Sequence, residues 1–191
     1  MKMLHIDSSL LGASSVTREL SATIVACWQD LLPSLEVHYL DLDRDPLPHL
    51  TGRSLTQSDA EEMATAGRVM EQFLAADVLV IGAPMYNFTV PSTLKAWIDR
   101  IAVAGKTFRY TTSGVEGLAT GKKVIVASAR GGVHSGASDF QEPYLRQVFG
   151  FLGITDVEFV RAEGVAYSPE HRRDAIAAAL ASIPGPLKTA A

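Results

Sequence analysis

The sequence predicts an α/β fold, a doubly wound arrangement of five parallel strands in one sheet with helices on both faces. Three observations lead there. Short apolar runs alternate with longer segments of helical period along all 191 residues, the pattern of repeated strand–helix–strand crossovers. Residues 78–81 and 124–127 are apolar at every position, as strands covered above and below must be. Residues 35–41 and 157–161 alternate apolar with polar instead, which suits the edges of the sheet.

Taken in order, residues 3–7 form the first strand and run into a loop of small residues and hydroxyls, Ser8, Ser9, Leu10, Leu11, Gly12, Ala13, Ser14, Ser15, Val16 and Thr17. A helix over 15–32 follows, with Leu20, Ile24, Cys27, Trp28 and Leu31 on one face, and stops before Pro33. The second strand spans 35–41. Residues 43–57, with Pro46, Pro48 and Gly52, read as a loop. Ser58 and Glu61 have capping-box spacing ahead of a helix that turns Met63, Ala66, Met70, Phe73 and Leu74 inward.

The third strand begins at Val78, and Gly82 and Pro84 are expected to break it before Met85, Tyr86, Asn87 and Phe88. Pro91 and Ser92 open a helix whose Leu94, Trp97, Ile98 and Ile101 share a face. Residues 105–121 alternate through Lys106 to Tyr110 and carry glycines at 114, 117 and 121, which predicts a short hairpin. The fourth strand, 124–127, leads into a glycine-rich loop, 128–136. A helix capped at Ser138, with Gln141 at the box position, turns Leu145, Val148, Phe149 and Leu152 inward and ends at Gly153. The fifth strand is 157–161. Ser168 and Pro169 start a last helix through Ile176, Leu180 and Ile183, ended by Pro184, Gly185 and Pro186.

Composition bounds the function. With 47% hydrophobic and 20% charged residues, the chain reads as one soluble domain, 1–191, and no apolar run approaches the ~20 residues of a membrane span. Net charge is -4, and only Lys122–Lys123 and Arg172–Arg173 are adjacent cations, which argues against nucleic acid. The single Cys27 excludes an internal disulfide, and Met1 leads at once into a strand, so the expected setting is reducing and cytoplasmic. That setting also sets aside the sequon Asn87-Phe88-Thr89. The five histidines show no metal-ligand spacing.

Right-handed crossovers with strands two and five at the edges give the order 2-1-3-4-5, that of flavodoxin-like sheets. The carboxyl ends of strands one, three and four then lie together, so residues 8–17, 84–88 and 128–134 converge. Hydroxyls of Ser9, Ser15 and Thr17 at a helix N-terminus suit a phosphate; the plainer reading is that Ser14 or Ser15 is only an N-cap. Met85, Tyr86 and Phe88 supply apolar and aromatic atoms, or merely plug the core. Gly131 and Gly132 let backbone approach a flat ligand. Phosphate plus a planar ring points to flavin mononucleotide, FMN. A phosphatase would need a cysteine nucleophile in the first loop, and a receiver domain an aspartate after strand three; neither is present.

With Ser8-Ser9, Ser15-Val16-Thr17, residues 84–88, residues 94–99, Gly105-Lys106-Thr107-Phe108 and Arg130-Gly131-Gly132 in view, nearly the whole chain resembles the FMN-dependent NADH:azoreductases, flavodoxin-like enzymes related to quinone reductases. The resemblance implies FMN held by Ser9, Ser15, Val16, Thr17, Met85, Tyr86, Asn87, Phe88, Ala129, Arg130, Gly131 and Gly132. It departs at Val16, where that family commonly has a polar residue. It further implies a homodimer, for which Phe108 and Tyr110 would be exposed contacts, and hydride transfer from NADH or NADPH through the flavin to a quinone or azo acceptor. Main-chain N–H groups at 86–88 and 131–132 would face negative charge developing on the ring. Tyr86 and Phe88 shape the pocket. His134 is either a donor near the ring or an exposed loop residue. A flavodoxin-type electron carrier or an NAD(P)H:FMN reductase would use the same fold and cofactor; the mild net charge favours an enzyme over a carrier.

Overall fold

The computed structural model describes residues 1–56, 58–134 and 138–186. One sheet of parallel strands runs in the order β2 (Glu36–Asp41), β1 (Lys2–Asp7), β3 (Val78–Pro84), β6 (Lys123–Arg130), β7 (Asp156–Glu163). Because β4 (Phe108–Thr111) and β5 (Gly114–Gly117) form a separate antiparallel hairpin, this is the expected 2-1-3-4-5 of the main-sheet strands. β3 and β6 are buried at every position, while β2 and β7 are only partly buried at the edges.

The period of two along each strand divides the apolar side chains into two clusters. Leu4, Ile6, Leu79, Ile81, Val124 and Val126 pack with α3 (Ala60–Ala75), α4 (Ser92–Ile101) and α5 (Gln141–Phe151). Met3, Val78, Val80, Ile125 and Ala127 pack with α1 (Val16–Leu31) and α6 (Pro169–Ala181). The α4 face is buried as expected: Leu94, Trp97, Ile98 and Ile101 are all in the core. Each such side chain contributes roughly 1.5–3 kcal/mol of burial. Among the described residues no helix is long and apolar enough to cross a membrane, and no cluster of His, Cys, Asp or Glu forms a metal site.

Several local expectations are corrected. Gly82 and Pro84 do not break the third strand; they pair with Asp7 and Ala129. A Cβ at 82 would overlap the Asp7 carboxylate, which would have to leave its hydrogen bonds with Ser21 and Tyr39 to make room. The α1 stripe is centred nearer Val25, leaving Cys27 half-buried on its flank; Leu31 ends the helix exposed, and Leu32 packs on the core instead. In α3 the stripe passes through Val69, Met70 and Phe73, with Met63 and Leu74 exposed on one flank, beyond Met70.

Residues 43–57 contain a short helix, α2 (Gly52–Thr56). Thr51 and Ser54 start it by reciprocal capping, each hydroxyl accepting from the other's N–H at 3.2 and 2.9 Å. Two caps slip by one residue: Asp59, not Ser58, accepts from Glu62 N–H, and Asp139, not Ser138, accepts from the N–H groups of Gln141 and Glu142. Phe108 is buried against Phe151, so of the two hairpin aromatics only Tyr110 is exposed.

Candidate functional site

The first loop is built from the end of β1 into the start of α1. Ser8 Oγ donates to Gly82 O at 2.7 Å, fixing the exit of the chain. A single 3-10 turn, Gly12–Ser14, then delivers Ser15 to the N-cap of α1, where its Oγ accepts from Arg18 N–H at 3.2 Å and lies 3.1 Å from Thr17 Oγ1. Ser15, not Ser14, is therefore the N-cap. The first turn of a helix has N–H groups with no intrahelical acceptor. Ser15 N–H bonds to Gly12 O and Arg18 N–H is capped, while those of Val16 and Thr17 have no acceptor among the described residues, an arrangement that could receive an anion. A polar side chain at 16 is not needed for that contact; the Val16 side chain is buried in the core.

The second loop is a tight turn. Tyr86 and Thr89 exchange N–H···O=C bonds at 3.0 and 3.1 Å, and Asn87 and Phe88 between them have φ of 49° and 71°. Both are left-handed, a strain of order 1–2 kcal/mol per residue for L side chains, and such strain clusters at binding sites. The turn spends the Tyr86 N–H, and those of Asn87 and Phe88 have no acceptor among the described residues.

The third loop follows β6. Arg130 turns its side chain inward, donating to His134 O at 3.0 Å and Asp139 at 2.9 Å, with Glu163 3.6 Å from Nε. These bonds tie Arg130 to the loop at His134 and to Asp139. Gly131 O and Gly132 O accept from Ala166 and Gly164 N–H at 3.1 and 3.0 Å, and Val133 N–H donates to Tyr167 Oη at 3.0 Å. The Gly131 and Gly132 N–H groups have no acceptor among the described residues. Gly132 is not in a positive-φ conformation, so its smallness serves space: a Cβ would sit 3.1 Å from His134 Nε2. The expected loop members Ser135 and Gly136 lie outside the described residues.

The three loops touch. Ser9 Oγ is 3.3 Å from Tyr86 Oη, which also accepts from Leu10 N–H at 3.2 Å. Met85 N–H donates to Ala129 O at 2.9 Å, and the Phe88 and His134 rings meet edge to face at 5.6 Å. His134 is thus part of the assembled wall, half-buried rather than free in solvent. A cavity of about 320 Å³ at the other end of β1 and β2, lined by Lys2, Glu36, His38 and Gln72, is bordered by the C-terminal end of α3 at Ala75 and Ala76, not by a helix N-terminus.

Two arrangements were invisible in the sequence. Gln141, fully buried, donates through Nε2 to Ala83 O and Pro84 O at 3.2 and 3.0 Å and accepts from Ser128 Oγ at 3.0 Å, tying the ends of β3 and β6 together. Beneath the first loop, Arg18 forms a two-pronged pair with Asp41, both bonds 2.7 Å. The Arg18 hydrogen bonds, then those from Arg44 and Asp43 N–H, outweigh burial and pull the Asp41 carboxyl from 3.8 down to about 2. Burial, then Asp7, pushes Tyr39 up to about 12.

Asp41 has a folded-state pKa below its unfolded value, so its contribution is complete above about pH 4 and is lost as pH falls through about 2. After discounting for partial exposure, that contribution is ~1–2 kcal/mol. Asp41→Asn is expected to lose this amount at neutral pH and to flatten the acid limb of the stability curve. Urea titrations from pH 7 to 2 check it; parallel acid limbs for both proteins would count against the assignment.

The family model for the flavodoxin-like fold matches residues 1–184. The FMN-dependent NADH:quinone oxidoreductase of Xanthomonas oryzae pv. oryzae (strain MAFF 311018) is 68% identical over 184 residues, covering 96% of this chain and 95% of that one. Among solved structures, azoreductase from Bacillus anthracis str. Sterne superposes with a TM-score of 0.88 at 30% identity, covering 96% of both chains. An FMN-dependent NADH-azoreductase from Bacillus anthracis str. Ames Ancestor, solved in complex with FMN, gives 0.83 at 28% identity, covering 95% of this chain and 97% of that one. Sequence and architecture agree over essentially the full length: the chain belongs to the flavodoxin-like family, among the FMN-dependent NADH:quinone oxidoreductases and azoreductases.

Proposed function

We propose that this chain is an FMN-dependent NADH:quinone oxidoreductase that also reduces azo compounds, by two-electron ping-pong hydride transfer. The observation that carries the reading is the set of N–H groups without acceptors among the described residues on three touching loops, at Val16 and Thr17, at Asn87 and Phe88, and at Gly131 and Gly132. One pair suits a phosphate at a helix N-terminus; the other two suit the polar edge of a flat ring. The names of the relatives, FMN-dependent and NADH-linked, supply the cofactor and the donor.

In this reading Ser9, Ser15, Val16 and Thr17 hold the phosphate. Met85, Tyr86, Asn87 and Phe88 wall and orient the ring, and Ala129, Arg130, Gly131 and Gly132 close its other side, with His134 fixed against Phe88. Bound there, FMN would supply hydride chemistry between a nicotinamide donor and the acceptor. The protein's own work is to place that ring, to keep N–H donors at its edge and to leave one side open for donor and acceptor in turn. The whole chain acts as a single FMN-binding domain in a reducing, cytoplasmic setting; the two apolar clusters support the doubly wound arrangement. A homodimer fits the exposed Tyr110 and Val115 on the hairpin.

Titrating the apo-protein with FMN and FAD tests the site, and light scattering on the active enzyme tests the assembly. Tighter binding of FMN than FAD and a mass of two chains are expected. Equal affinities would overturn the phosphate assignment, and a one-chain mass the dimer.

A further inference from the structure

Under the first loop lies a buried polar group that none of the flavin contacts uses. Arg18, one turn into α1, folds back so that Nε and Nη2 both donate to the carbonyl of Ser9, at 3.3 and 2.9 Å. Its Nη1 donates to Tyr39 Oη at 3.0 Å, and the pair with Asp41 locks the guanidinium plane. Tyr39 Oη in turn donates to Asp7 at 3.1 Å, and Asp7 accepts from Ser21 Oγ at 2.8 Å, with His5 Nε2 at 3.6 Å and Arg18 Nη1 at 3.7 Å. Asp7 and Ser21 are buried, and the Arg18 and Asp41 side chains are each at least 84% covered.

The geometry has a direction. The guanidinium is held by β2 and grips the loop from behind, at the peptide whose side chain faces the other way: Ser9 Oγ accepts from Leu11 N–H at 3.3 Å and meets Tyr86 Oη. Its charge is matched by Asp41 and Asp7, so it is not available as a ligand for an anion. A planar, five-donor group fits this task where a lysine would not, since it must satisfy one carbonyl and both oxygens of a carboxylate at once.

We propose that Arg18 is a positioning residue for the cofactor phosphate, with Asp41 as its anchor: it fixes the Ser9 peptide so that the first loop is already shaped before the phosphate arrives. This rests on the FMN reading above. Preorganisation of this kind shows as affinity lost when the support is removed, although no ligand contact is deleted.

The test compares FMN with riboflavin, which has the ring and no phosphate. In wild type FMN must bind more tightly than riboflavin; if it does not, the FMN reading fails first and separately. For Arg18→Met the expected result is a loss of ~10-fold or more in FMN affinity with riboflavin affinity within ~2-fold. Arg18→Lys, which keeps the charge but on a single nitrogen, and Asp41→Asn, which frees the guanidinium, should fall between. An FMN-to-riboflavin ratio unchanged from wild type overturns the proposal, because a merely structural role would lower both affinities together or neither. Should Arg18→Met not fold, the same ratio measured on Arg18→Lys and Asp41→Asn decides it.

Discussion

Ser15→Asp is expected to cut FMN affinity by ~100- to 1000-fold while leaving the apo-protein about as stable as before. Ser15 Oγ caps α1 by accepting from Arg18 N–H, and aspartate is an equally good N-cap, favoured further by the helix dipole. The same carboxylate stands beside the Val16 and Thr17 N–H groups where the phosphate would sit. Two like charges ~4 Å apart in surroundings of intermediate polarity repel by ~4 kcal/mol, and each ~1.4 kcal/mol is tenfold in affinity. Ser15→Ala loses the cap at ~1 kcal/mol and one hydroxyl from the phosphate site without adding a charge, so it should lower apo-protein stability more and FMN affinity far less than Ser15→Asp. Calorimetric titration with FMN, beside thermal melts of both apo-proteins, separates the effects. Wild-type FMN affinity in Ser15→Asp would remove the α1 N-terminus from the site.

The largest stability effect is expected from the smallest addition, Gly117→Ala. Gly117 ends β5 where the hairpin lies on the turn between α5 and β7, and a Cβ there would overlap the backbone of Leu152 and Gly153. The contact is mutual, since a Cβ on Gly153 would come within 2.9 Å of Gly117 C and O, and Gly153 itself has a φ of 95°. Main chain cannot turn aside as a side-chain tip can, so the hairpin must lift, breaking the Ala119 N–H to Leu152 O bond of 2.9 Å. Overpacking of this kind costs ~3 kcal/mol or more, a fall in Tm of roughly 6–12 °C at this chain length. Gly67→Ala gives the opposite sign. It sits inside α3 with nothing within 4 Å of a new Cβ, and should gain ~0.5–1 kcal/mol from helix propensity. Equal melting shifts for the two variants would refute the close contact.

What could be read beforehand follows from how far each interaction reaches along the chain. The α4 face was legible because Leu94, Trp97, Ile98 and Ile101 repeat at helical spacing, and the sheet order because burial on both faces leaves residues 78–81 and 124–127 wholly apolar. The three loops followed from that order. Caps were legible only to within a residue: Ser58 and Asp59, or Ser138 and Asp139, offer equivalent oxygens, and the choice falls to backbone geometry. The Thr51 and Ser54 pair carried a usable signal for α2, hidden among prolines. Gln141 and Arg18 were not legible at all. A buried amide reads as a solvated one until its acceptors are known, and these lie 57 and 58 residues away, at Pro84 and Ala83. The Arg18 partner Asp41 is 23 residues distant, on a strand whose own pattern says only that it is an edge.

The strands that carry the second and third loops are those with no face open to water. Every residue of β3 and of β6 is buried, and each strand is hydrogen-bonded on both sides. Their amide protons can trade with solvent deuterium only when the whole sheet comes apart, whereas amides at Asn87, Gly131 and Gly132 lie outside the ladders and trade by local opening. Isotope exchange would therefore divide sharply, within a few residues, at Pro84 and at Arg130. A ligand arriving or leaving perturbs the fast side of that boundary and finds the slow side already set.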